Sequence, residues 1–302
     1  MNQPAASTPA LAASSAASAA AGTSHLAPII DAHFHAWRLA RGDYGWLQPE
    51  LGVIYRDVDI AHWLDHARPL GVTGGVLVQA APTAGETTWL LEQAAAHAEV
   101  LGVVGWADLL APDAPEQIAA LAHQPKLKGL RPMLHDIADP DWILQPALDP
   151  ALRAMTEQGL VFDALVRPVH LPRIRELASR HPALSIVVDH GAKPEIASMG
   201  WQPWADELRA LADESGAVCK LSGLLTEAGA VDHELATMRW GAQVLACFGP
   251  QRVLWGSDWP VLELAASYER WWALARQLGQ ALSAEEQQAV FGANAARVYR
   301  LG

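Results

Sequence analysis

His33 and His35, two residues apart in the stretch DAHFHAW, are the first side chains of this chain able to work as a pair. On a β-strand that spacing turns both imidazoles to one side. A third imidazole follows in VVDHGAKP, where His190 adjoins Asp189, and a carboxylate in VLWGSDWPV, where Asp258 follows Ser257. Three imidazoles and a carboxylate form a ligand set for Zn²⁺ or a similar divalent ion with one position left for water. The same groups also suit metal-free chemistry. Asp258 would then act as general base on a water, with the imidazoles orienting it and polarising a substrate carbonyl.

Such a set is useful only if the fold brings it together. Eight β-branched runs alternate with amphipathic stretches: 27–35, 72–80, 100–109, 126–134, 160–168, 184–191, 217–224 and 252–260. Their near-continuous apolar character is that of parallel strands covered on both faces. Thr83 with Glu86, Asp149 followed by Pro150, and Ser283 with Glu286 mark helix starts, and Gly159 a helix end. Eight strand–helix pairs predict a closed (β/α)₈ (TIM) barrel over residues 28–302, an α/β fold whose strand C-termini collect the active site. His33 and His35 end the first run, His190 the sixth and Asp258 the eighth. An open doubly wound sheet fits less well, because no GxGxxG follows the first run and no Walker A loop occurs. His25, His62, His66, His97, His123, His181 and His233 fall in the N-terminal segment or in helical stretches and read as structural or solvated.

Composition narrows the partners. Residues 1–27 are Ala, Ser, Thr and Pro with almost no large apolar side chains, and read as a disordered tail rather than a signal peptide or membrane span. Lys plus Arg number 21 and Asp plus Glu 33, a net charge of −12 that repels nucleic acid and anionic membranes. Two cysteines in apolar runs, Cys219 and Cys247, read as reduced thiols in the cytoplasm. The sequence assigns no oligomeric state.

The segments DAHFHAW, RGDYGWL, GLRPMLHDIADPDWIL, VVDHGAKP, CKLSGLLTEA and VLWGSDWPV together resemble the sugar-lactonase branch of the amidohydrolase superfamily, over nearly all of the chain beyond the tail. The branch includes enzymes similar to L-fuconolactonase and L-rhamnonolactonase, alongside a hydrolase of 2-pyrone-4,6-dicarboxylate. The resemblance implies the same barrel, Asp258 as general base, and His33, His35 and His190 as its catalytic companions. The fourth run supplies Arg131 and no lysine able to bridge two metals, so at most one divalent ion is expected. The resemblance further implies that such an ion is dispensable.

The expected activity is hydrolysis of a small-molecule sugar lactone, an L-fuconolactone-like aldonolactone, to the sugar acid. Alternatives are hydrolysis of a carboxylated lactone such as 2-pyrone-4,6-dicarboxylate, a decarboxylase on the same fold and, last, a barrel that binds a sugar acid without turnover. Gln79, Trp106, Arg131, Asp163 and Lys220, at or near strand ends, are the candidate substrate-binding residues, with Asp108 and Ser222 beside them. Of 13 tryptophans, Trp37, Trp106, Trp142, Trp255 and Trp259 lie where a ring can stack on a sugar, whereas Trp63, Trp89, Trp240, Trp271 and Trp272 fall in helices and read as core.

Overall fold

The computed structural model describes Met1, residues 27–229 and residues 233–302. The predicted tail, including His25, therefore lies outside the described residues apart from its two ends. Eight parallel strands run in chain order around one sheet. They are β1 (Ile29–Phe34), β2 (Val72–Val78), β3 (Val100–Gly105), β4 (Leu127–Leu130), β5 (Val161–Ala164), β6 (Ile186–Val188), β7 (Val218–Leu221) and β8 (Val253–Trp255). All eight expected runs form strands. His33, Asp163 and Lys220 lie within β1, β5 and β7, whereas His35, Gln79, Arg131, His190 and Asp258 follow their strands in the turns above the barrel.

The sheet curls until its edges meet. Phe34 bridges Trp259 in parallel, Asp258 N donates to His33 O and His35 N to Trp259 O, each at 2.8 Å. The barrel is thus a nearly closed TIM barrel with helices between successive strands. A buried carboxylate reinforces the seam: Asp31 accepts from Ser257 N at 2.8 Å, from Trp63 Nε1 at 3.0 Å and from the Tyr268 hydroxyl at 2.8 Å. It ties β1 to the turn after β8 and to the helices Ile60–Ala67 and Tyr268–Leu278.

The barrel is filled in layers. Ile30, Ala32, Val76, Val78, Val104, Val161, Val187, Val218 and Leu254 form one apolar cluster, closed from below by Ala295 and Tyr299 of the C-terminal segment. Ala32 belongs to that cluster, yet the next residue, His33, also reaches inward to Lys220. Two consecutive inward residues require a break in the pleat, and the β1–β2 register shifts between Asp31 and Phe34. That shift lets His33 and His35 share the mouth.

The helix signals hold with one revision. Ser283 and Glu286 make a reciprocal capping box, and Asp149–Glu157 is helical up to a left-handed Gly159. Thr83 caps Ala84–Ala96 through Glu86 N, but the Glu86 carboxylate turns away to the N–H groups of Ala80 and Ala81. Both cysteines are buried and free. Among the described residues, no helix is long and apolar enough to cross a membrane.

Candidate active site

His33, His35, His190 and Asp258 meet at the C-terminal mouth of the barrel. Asp258 Oδ1 lies 3.3 Å from His35 Nε2, 3.6 Å from His33 Nε2 and 3.8 Å from His190 Nε2. His33 and His35 approach through their Nε2 atoms at 3.2 Å. Each ring is held from behind. His35 Nδ1 pairs with the carbonyl of Val78 at 2.8 Å, so Nδ1 carries the hydrogen and Nε2 offers a lone pair. His190 Nδ1 contacts Ser222 Oγ at 2.8 Å.

The backbone around these groups is strained. His190, Gly191, Ala192 and Lys193 follow one another in the left-handed region, with φ from 45° to 64°, and Asp258 has φ 59°. Each non-glycine residue there costs roughly 1–2 kcal/mol. The turns persist because neighbours over-determine them. Trp204 Nε1 donates to Gly191 O at 2.7 Å, and Lys193 N to His190 O at 2.9 Å. Glycines allow the close approach: a Cβ on Gly223 would lie 2.6 Å from His190 Nδ1, and one on Gly256 2.8 Å from His33 Cβ.

Below this group sits a fully buried ionic layer. Lys220 Nζ lies 2.6 Å from Asp163 and 2.9 Å from Asp189, and Arg131 Nη1 lies 3.2 Å from Asp189. The Tyr299 hydroxyl donates to Asp163 from the barrel floor. Lys220 also stands 3.1 Å from His33 Nδ1, and Arg131 Nη1 3.4 Å from His33 Nε2. Burial, then the positive charge of Lys220, lowers the pKa of His33 well below its usual value. Burial likewise brings His190 down to about 4. Asp258 is also buried, which opposes its charge, but the surrounding imidazoles outweigh this and hold it below the ordinary carboxylate range. Near neutrality the mouth therefore holds neutral His33 and His190 facing an ionised Asp258.

The donor set fits a single divalent ion. His33, His35 and Asp258 offer ligand atoms within 4.8 Å of one another, and their separations of 3.2, 3.3 and 3.6 Å are close to the roughly 3.4 Å between ligands of a tetrahedral zinc. His190 Nε2 is the next nearest donor.

A cavity of about 380 Å³ opens above the group, lined by His35, Arg131, His190 and Asp258, and by Trp46, Met133, His135, Lys193, Glu227 and Leu264 among others. Its two cations are already compensated, Arg131 by Asp189 and Lys193 by Glu227. Of the other candidate substrate-binding residues, Gln79, Asp163 and Lys220 lie beneath the cavity rather than along its wall. Gln79 Nε2 donates to Arg131 O at 2.7 Å, and the other two form the ionic layer. Trp106 and Asp108 line a neighbouring cavity with Trp142. Trp37, Trp255 and Trp259 are fully buried core residues, not stacking platforms. Trp259 leaves the mouth because the chain reverses at Asp258, sending its Nε1 to Glu263 at 2.9 Å.

Among the lining side chains without a sequence assignment, Trp46 and His135 carry chemistry. Trp46, in the RGDYGWL segment, reaches the cavity through the long connection after β1, and its Nε1 donates to Ala80 O at 2.7 Å. His135, in the turn after β4, is held neutral by burial with a pKa near 4. Position in a family motif was the only signal for either.

The profile of the family described as Amidohydrolase matches residues 30–301. An L-fucono-1,5-lactonase of Burkholderia ambifaria is 44% identical over 276 residues, covering 90% of this chain and 95% of that protein. Its namesake from Burkholderia multivorans is 38% identical over 286 residues, covering 90% and 96%. A crystal structure of an amidohydrolase from Burkholderia multivorans with bound zinc superposes with a TM-score of 0.87 at 35% identity, covering 91% of this chain and all of that one.

Proposed function

The chain belongs to the amidohydrolase family, and on that premise we propose that it is a lactonase, a carboxylic-ester hydrolase that opens a neutral aldonolactone of the L-fuconolactone type to the sugar acid. Its similarity to two L-fucono-1,5-lactonases supports the class of substrate. The observation that carries the choice of a neutral lactone is charge compensation in the cavity. A 2-pyrone-4,6-dicarboxylate would need cations free to form bidentate pairs, whereas Arg131 and Lys193 already face Asp189 and Glu227.

In the reaction, Asp258 accepts a proton from a water as the water oxygen attacks the lactone carbonyl carbon. Negative charge moves onto the carbonyl oxygen, where Arg131 and the imidazoles of His33 and His190 stabilise it, while the lone pair of His35 Nε2 orients the water. One well-placed donor of this kind lowers the barrier by about 3 kcal/mol. Collapse breaks the bond to the ring oxygen, and Asp258 returns its proton to that leaving oxygen. The acid formed gives a proton to solvent. Trp46 offers an apolar face to the C–H side of the sugar ring. A divalent ion, when bound, would be held by His33, His35 and Asp258 with His190 beside them, and would supply Lewis-acid polarisation.

The test is turnover of L-fucono-, L-galactono-, D-arabinono- and L-rhamnonolactone in a pH-indicator assay, with 2-pyrone-4,6-dicarboxylate alongside. The highest kcat/KM is expected for L-fuconolactone. Faster hydrolysis of the dicarboxylate, or release of CO₂ from any substrate, would overturn the reading.

A further inference from the structure

Beside the catalytic cavity lies a second one of about 210 Å³. Trp106, Asp108 and Trp142 line only this cavity, while Met133 and Asp136 line both it and the catalytic cavity. The two spaces thus share a wall at the C-terminal mouth of the barrel, in the turns after β3 and β4. We propose that this second cavity is a subsite for a neutral sugar ring, so that the preferred substrate is an aldonolactone bearing a second, uncharged glycosyl unit. The inference rests on the sugar-lactone reading of the neighbouring site.

The lining has the chemistry of a saccharide site. Trp106 and Trp142 are both partly exposed, and among the described residues neither ring packs against another aromatic side chain. Trp142 also packs against the apolar core, but the exposed sides of both indoles can meet the C–H face of a pyranose and their Nε1–H groups its hydroxyls. Asp108 uses Oδ1 to accept from Leu110 N, and Asp136 uses Oδ2 for His135. Each keeps its other oxygen for a hydroxyl donor. Two carboxylates and no cation among the lining residues disfavour a uronic acid or a sugar phosphate. A volume below the roughly 300–1,000 Å³ of a self-sufficient ligand site suits one ring attached to a substrate held next door.

The experiment is ¹⁹F NMR of the full chain labelled with fluorotryptophan, with Trp106→Phe and Trp142→Phe used to assign the two resonances. Neutral methyl hexopyranosides, among them the fucoside, galactoside, glucoside and mannoside, are titrated to about 50 mM, which detects millimolar affinity. At least one is expected to move both resonances saturably, and methyl glucuronide to bind at least tenfold more weakly unless Asp108→Asn and Asp136→Asn are combined. Trp142→Ala should abolish the shift at Trp106 while L-fuconolactone turnover stays within about twofold, a change under 0.5 kcal/mol. The proposal is overturned if no glycoside moves either resonance, or if the shift is confined to Trp46. Absence of lactone turnover by the unsubstituted chain with the glycoside shifts intact would instead sink the lactonase reading, and with it the glycosylated lactone as substrate, while leaving the neutral-sugar subsite.

Discussion

Asp258 Oδ1 stands 3.3 Å from His35 Nε2, and the two residues are locked across the seam of the barrel by the paired hydrogen bonds of His35 N to Trp259 O and Asp258 N to His33 O. The contact therefore depends on barrel closure rather than on a mobile loop. Asp258 occupies the left-handed region with φ 59°, which asparagine tolerates better than most residues. Asp258→Asn thus keeps shape and backbone while removing the base. We expect kcat to fall by about 10²–10⁴ with KM little changed. Wild-type turnover by a correctly folded variant would remove Asp258 from the mechanism.

Metal dependence follows from what surrounds the imidazoles. Lys220 Nζ, a donor only, is 3.1 Å from His33 Nδ1 and Arg131 Nη1 is 3.4 Å from His33 Nε2, so the lone pair of His33 is held toward Lys220 and an ion at Nε2 must displace Arg131. In the proposed mechanism Asp258 activates water and Arg131 stabilises the oxyanion without an ion. Dialysis against a chelator, checked by elemental analysis, should leave most lactonase activity. Activity that disappears and returns only with Zn²⁺ would make the ion essential.

Gly223 separates strain from contact. It has φ 64°, and a Cβ there would lie 2.6 Å from His190 Nδ1, displacing the ring from Ser222. Gly42 has φ 73° and nothing within 4 Å of a Cβ. Gly42→Ala should cost about 1–2 kcal/mol of stability, the left-handed penalty alone, with kcat unchanged. Gly223→Ala should cost at least as much and also lower kcat by about tenfold or more, because an imidazole at the mouth is misplaced by a fraction of an ångström. Equal kcat in the two variants would show that the position of His190 does not matter to turnover.

The barrel was legible in the sequence because parallel strands buried on both faces must be apolar runs, and each run here ends in polar residues at or near the end of its strand. His33, His35, His190 and Asp258 share that signature, and they converge. Gln79, Asp163 and Lys220 carry the same signature but lie beneath the cavity, since a period of two gives the face of a strand and not the depth of a residue within the barrel. Trp255 and Trp259 were misplaced for a related reason: Trp255 points outward to Trp272, with ring centroids 4.8 Å apart, and the turn at Asp258 carries Trp259 away. Trp46 was hidden because the connection from β1 to the helix Ile60–Ala67 has no periodicity that says where its ring goes.

Glu86 gives the fold a pH dependence of unusual sign. Its buried carboxylate accepts from Ala80 N and Ala81 N, and the Ala80 carbonyl in turn accepts from Trp46 on the cavity wall. Burial pushes its pKa from 4.5 up to about 7, against the pull of those two N–H groups. Between these values the folded chain holds a proton that the unfolded chain has released, so this group's contribution to stability falls as pH rises through the window and is level above about 7. The full swing is roughly 3 kcal/mol at most. Glu86→Gln removes the titration and, by presenting an amide where one oxygen accepted, costs about 1–3 kcal/mol below the window. Urea unfolding of both proteins from about pH 5 to 8 isolates the group, because the other titrations cancel in the difference. The gap between wild type and variant should narrow or reverse as pH rises. A gap independent of pH would mean that Glu86 is already ionised throughout, and that the two N–H groups outweigh its burial.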